Sequence, residues 1–180
     1  MRRRFAIAVA LLAVGALSGV AAYEHAGSRR AGWQEIIWPF PRDGWPAGRA
    51  FRCGGGSCGG DIEIYIRPKI GFCNCDRGVA DDDEVDRVAD LDLLSERFVP
   101  KEAGRVIHVA GMVGRARSYD LRMSDGSPRT AIGIAVSRRC DLLVAVAQGN
   151  SEAVKVQHAA MAFLESAEAK RWMISALNGP

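Results

Sequence analysis

Thr130-Ala-Ile-Gly-Ile-Ala-Val-Ser-Arg-Arg-Cys-Asp-Leu-Leu-Val-Ala-Val-Ala147 is the stretch that decides how this chain folds. Side chains alternate faces along an extended strand, so Ile132, Ile134 and Val136 share one face while Ala131, Gly133 and Ala135 share the other. Leu142 to Ala147 is apolar on both faces. Arg138-Arg-Cys-Asp141 between the two runs reads as a hairpin turn. The small-residue face predicts a helix lying close against the sheet, and the last helix is expected to take that place.

Downstream, Asn150 or Ser151 caps a helix predicted to run to about Leu177. Val156, Ala160, Phe163, Ala167, Ile174 and Leu177 form its expected buried stripe. Asn178-Gly179-Pro180 stops it. Upstream, Asp61-Ile-Glu-Ile-Tyr-Ile-Arg67 alternates cleanly, with three isoleucines on one face of a strand. Asp81-Asp-Asp-Glu84 precedes Val85, Val88 and Ala89 at helical spacing. Acids in the first turn favour a helix start, and an Asp three residues before a Glu fits a capping box. Arg105–Gly111 and Met112–Leu121 read as two strands, or as one strand bent at Gly111 or Gly114. Strands, a short helix, more strands and a terminal helix predict an α+β domain over residues 48–180. Its antiparallel sheet is packed by a long C-terminal helix and a short mid-chain helix.

Before this domain, Tyr23 to Gly32 is polar and reads as a linker. Trp33-Gln-Glu-Ile-Ile-Trp-Pro-Phe-Pro-Arg-Asp-Gly-Trp-Pro46 reads as a proline-stiffened strap across the core, because tryptophan at that density is expensive to expose. Residues 23–47 therefore form linker and strap. Residues 1–22 have the three parts of a secretion signal: Arg2-Arg3-Arg4, an apolar run from Phe5 to Ala22, and small residues at Val20 and Ala22. Cleavage is expected after Ala22. An uncleaved anchor is the alternative, since the run is about as short as the ~17–25 residues of a spanning helix allow. Export places the domain in the periplasm or outside the cell, with inner-membrane anchoring if the signal is retained. About 158 residues remain after cleavage, enough for one domain with a real core.

The signal also accounts for the charge. It holds three of the 24 Lys+Arg and none of the 21 Asp+Glu, so the part that follows carries 21 of each. Nucleic-acid binding depends on a surplus of cations that displaces counterions from phosphate, so that class of partner is excluded. Within the domain the charges segregate. Asp81 to Glu96 is acidic, whereas Lys101 to Arg139 has eight cations against three acids. A neutral total favours internal complementarity or self-association over an external polyanion. The acidic run lacks the alternating acids and central glycine of a calcium loop, so it reads as a solvated helix face.

Four of the 5 cysteines, Cys53, Cys58, Cys73 and Cys75, crowd a glycine-rich stretch, with Cys140 apart. Three chemistries fit. In an oxidising compartment clustered cysteines pair as disulfides, either Cys53 with Cys58 or across to Cys73 or Cys75. Cys140 is then the free thiol. Alternatively the four thiolates hold a soft ion, copper or zinc, as a cofactor. Thiol–disulfide exchange at Cys73-Asn-Cys75 comes third, because that spacing departs from the helix-opening redox motif. His25, His108 and His158 are scattered, with His108 expected in the core, and Ser124 and Ser127 read as turn residues. No catalytic residue is assigned, and the partner expected is another protein or a second copy.

Arg67-Pro-Lys-Ile-Gly-Phe-Cys-Asn-Cys75 with Gly78-Val-Ala-Asp-Asp82 resembles a segment of uncharacterised bacterial exported proteins. Strands closed by a C-terminal amphipathic helix resemble the Mog1/PsbP-like fold, over roughly Phe51 to Gly179. That second resemblance implies a non-catalytic accessory or binding domain.

Overall fold

The computed structural model describes residues 32–54, 56–71 and 75–178. The chain falls into two units, Met1–Gly32 and Trp33–Pro180, and the fold is that of the second. The predicted signal and linker therefore lie outside the described residues, save Gly32.

The strands are β1 (Trp33–Ile36), β2 (Arg49–Cys53), β3 (Ile62–Lys69), β4 (Phe98–Pro100), β5 (Arg105–Val109), β6 (Met112–Arg122), β7 (Pro128–Arg138) and β8 (Asp141–Gly149). The helices are α1 (Asp82–Val88), α2 (Leu91–Leu94), α3 (Ala153–Leu164) and α4 (Ala167–Leu177). All eight strands join one sheet in the order β1-β2-β3-β8-β7-β6-β4, with β5 also on β6. Every pairing is antiparallel. The fold is α+β.

Both faces of the sheet are covered. The isoleucines of β3 and β7, with Phe51, Val109 and Leu143, meet Val156, Ala160, Leu164, Met173 and Leu177 of α3 and α4. Burying such side chains stabilises the fold by about 1.5–3 kcal/mol each. On the other face, α1 sets Val85, Val88 and Ala89 against Ala135, Leu142 and Val144. Beside it Leu91, Tyr65, Tyr119 and Val146 pack with Ile36, Trp38 and Phe40. With layers on both sides, β8 needs apolar residues on both faces, as its sequence has.

The small-residue face lies under α1, not under the terminal helices. A Cβ at Gly133 would sit 3.0 Å from both the Ala89 Cβ and the Tyr119 ring. The larger β-branched face takes α3 and α4, whose own alanines supply the close approach. Two helices also replace the single expected one. Ser166 interrupts it, its Oγ accepting the Ala169 N–H as an N-cap. The break rotates the stripe, so Met173 is buried while Ile174 is exposed.

Local chemistry sets the remaining boundaries. The Asp81 carboxylate accepts the Glu84 N–H at 2.9 Å and starts α1. β5 and β6 are separate strands joined by Ala110 and Gly111, both at positive φ (52° and 78°), as a two-residue hairpin requires. Arg138 pairs with Asp141 across the predicted β7–β8 turn, where Arg139 has φ 58°.

Candidate functional site

The cysteines lie at opposite ends of β3. Cys53 bonds to Cys58, closing the glycine loop between β2 and β3. Cys75 bonds to Cys140, tying the segment after β3 to the tip of the β7–β8 hairpin. Cys140 is thus not the free thiol that its isolation in the sequence suggested. Sequence distance misled because the β3–β8 register sets Lys69 beside Leu142 and so brings residue 75 within reach of residue 140. Cys73 falls outside the described residues.

This placement sets Cys53 and Cys58 apart from Cys75, and these are three of the four proposed metal ligands. Cys53 sits opposite Ile62 at the first residue of β3, and the second bridge lies beyond Lys69, its last. Eight residues of strand separate them, roughly 23 Å at about 3.3 Å per residue. A four-thiolate zinc site needs all its sulfurs at about 2.3 Å from one ion, whereas three of the four proposed ligands are engaged in bridges. Among the described residues no group of three or more His, Cys, Asp or Glu converges on a point.

Three clusters of ionisable side chains lie on the sheet face that carries α1; apart from them, Arg49 of β2 pairs with Glu35 of β1 and Glu168 of α4. The deepest cluster joins Arg67 and Lys69 of β3 to Asp90, between α1 and α2, and to Asp43 of the strap. The Arg67 fork donates to both Asp90 oxygens at 2.6 and 2.7 Å, and Nη1 donates to Asp43 at 2.8 Å. Lys69 Nζ donates to the Val88 carbonyl at 2.9 Å and lies 2.7 Å from Asp90. Side chains of Arg67, Lys69 and Asp90 are 4, 7 and 8% exposed, so they depend on one another for solvation. The Arg67 hydrogen bond holds the Asp43 carboxyl down at about 2. Trp38 and Trp45 lie 5.9 Å from the Arg67 and Lys69 charges, capping the pair with ring faces. The Trp/Pro segment is therefore a strap, with β1 at its start and Trp33 turned to Phe163 on the opposite face.

A second cluster answers the charge segregation. Arg115 donates to Asp82 at 2.7 and 2.9 Å, and Arg117 donates to Asp86 at 2.7 Å. The acidic helix thus faces arginines of its own sheet. Gly104 N–H and then Arg115 lower the Asp82 pKa. Burial, reinforced by the bond to Asp86, raises that of the Tyr119 phenol. In the third cluster Glu63 accepts from Arg52, the Tyr65 hydroxyl and Gln148. Burial pushes the Tyr65 phenol up. The Gln148 Oε1 is buried with no partner among the described residues.

Each cluster joins elements of the fold, and none presents a nucleophile beside a base. His108 and His158 are exposed, so the expectation of a core His108 does not hold; it points from β5 to solvent. Ser127 is a turn residue bonded to Asp125. Among the described residues β5 is an edge strand, as are β1 and β4. Val106 and Val113 lie at the β5 edge, 59 and 52% exposed, beside His108. The sequence marked Arg105–Gly111 as strand but not as an edge, because pairing order is a long-range property.

No helix among the described residues is long and apolar enough to cross a membrane. No protein-family model and no curated protein matches the chain. A similar solved structure is PA94 from Pseudomonas aeruginosa, a protein of unknown function, at 16% identity, covering 82% of this chain and 83% of that one with a TM-score of 0.36. A likeness of that degree carries no argument.

Proposed function

We propose that this chain is exported, cut after Ala22, and acts in the periplasm or outside the cell as a non-enzymatic binding or accessory domain for another protein. One observation carries the reading: two disulfides clamp opposite ends of one sheet, a device that persists only in an oxidising compartment. The three ionic clusters support it, because their charged groups hold strap, helices and strands together and none is spare for chemistry. A disulfide-clamped sheet with β5 at an open edge suits recognition better than turnover.

The test is expression of the full chain in a bacterial host, followed by fractionation and intact mass measurement. Export predicts a periplasmic product beginning at Tyr23 and lighter by the hydrogens of two bridges. A cytosolic, fully reduced product with activity toward small substrates overturns the reading. A membrane-bound product beginning at Met1 replaces cleavage by anchoring.

A further inference from the structure

We propose that β5 is the contact through which two copies of this chain pair, antiparallel and edge to edge, about a two-fold axis at Ile107. This adds a second copy of the chain as a partner of the exported binding domain proposed above and rests on that reading.

Among the described residues β5 pairs only with β6, which leaves its outer backbone groups without a strand partner there. Edges are usually defended by proline, lysine, a bulge or an inward charge. β4, on the same side of β6, has such defences in Pro100 and the following Lys101. The far edge, β1, is only four residues long. Arg105-Val-Ile-His-Val109 has no proline, lysine or bulge, and its single charge, Arg105, stands at the very start of the strand.

The strand is complementary to itself. Centred on Ile107, an antiparallel pair sets Arg105 opposite Val109 of the second copy and Val106 opposite His108. No like charges face each other, and exposed Val106 gains an apolar and imidazole neighbour beside Val113. Arg105 lies on the same face as Ile107 and Val109, and it has no ion-pair partner among the described residues. Across the axis it would lie beside the Ala110 turn of the second copy. There Glu165 accepts the Ala110 N–H, pairs with Lys170 and remains 43% exposed. Two-fold symmetry makes this contact twice, as an isologous interface requires. A domain without net charge meets no long-range repulsion in doing so.

The experiment is native mass spectrometry with sedimentation on the exported, oxidised chain, in wild type, Val106→Lys, Arg105→Glu and Val99→Lys. Wild type is expected as a dimer. Val106→Lys and Arg105→Glu are each expected to raise the dissociation constant at least about tenfold. Val99→Lys, an equally exposed valine on β4 outside the pairing, is expected to stay dimeric, which controls for added charge. Hydrogen exchange at residues 105–109 should slow with protein concentration in wild type only. A wild-type monomer at about 100 µM, or a dimer indifferent to both β5 substitutions, overturns the proposal. Bridge count is read from the same spectra, so a monomer with both bridges removes only the edge pairing, whereas loss of the bridges removes the reading beneath it.

Discussion

Replacing Asp90 by asparagine tests whether the buried ionic cluster holds the strap side of the sheet together. Asparagine has nearly the same shape and tolerates the left-handed conformation of this residue (φ 60°) at least as well, so the backbone is unperturbed. What changes is charge. Arg67 and Lys69 lose the carboxylate that meets both, at 2.6–2.7 Å. Their side chains are 4 and 7% exposed and cannot recover the loss from water. Removing one member of such a pair costs about 3–5 kcal/mol, a fifth or more of a typical stability of about 5–15 kcal/mol. In urea, with slopes of about 1–3 kcal/mol/M, the midpoint falls by more than about 1 M at unchanged slope. Equilibrium unfolding of the oxidised protein, followed by tryptophan fluorescence and far-UV circular dichroism, gives the number. A loss below about 1 kcal/mol, the worth of a surface pair, would show that the cluster is solvated and the reasoning wrong.

Other outcomes follow from the same contacts. Asp43→Asn weakens the strap near neutral pH. Because the folded carboxyl sits at about 2 against an ordinary 3.8, its contribution is complete above the ordinary value and lost as pH falls through the folded one. Wild type and variant therefore converge in acid unfolding between about pH 4 and 2; a difference constant across that window refutes the Arg67–Asp43 contact. Cys140→Ser opens a loop of sequence separation 65, whereas Cys53→Ser opens one of 5. Loop entropy gives losses of about 4 and about 2 kcal/mol, so denaturant midpoints should fall in that order. Gly133→Ala pushes a methyl group against Ala89 and the Tyr119 ring, each 3.0 Å away. It is expected to destabilise by about 1–3 kcal/mol through overpacking, measured by thermal or urea unfolding.

How much of this was legible follows the range of the forces involved. Alternation in Ile62 to Ile66 and Ile132 to Val136, the Asp81 cap and the Arg138–Asp141 turn are local, and all were read from the sequence. Which layer covers which face is not local. Ala131, Gly133 and Ala135 announce a close helix without saying which, and α1 proved to be the occupant. The charge segregation was legible as complementarity, and its partners, Asp82 with Arg115 and Asp86 with Arg117, needed the register of β6. Ser166 was the available signal for the break between α3 and α4, since a serine at an N-cap is a local feature. Cys75 and Cys140 could not have been paired from spacing, because their meeting depends on β8 lying beside β3. Arg67 and Lys69 alternate on one strand face with Tyr65, but their burial depends on the strap and on α1, so the cluster they form was not read from the sequence.

The most direct test of the whole account is proteolytic mapping of the cysteines in exported, thiol-blocked protein. Cys53 joined to Cys58 and Cys75 joined to Cys140, with a single blocked thiol at Cys73, is the predicted result. Cys53 or Cys58 joined to Cys73 or Cys75, or all five cysteines blocked as thiols, would contradict it.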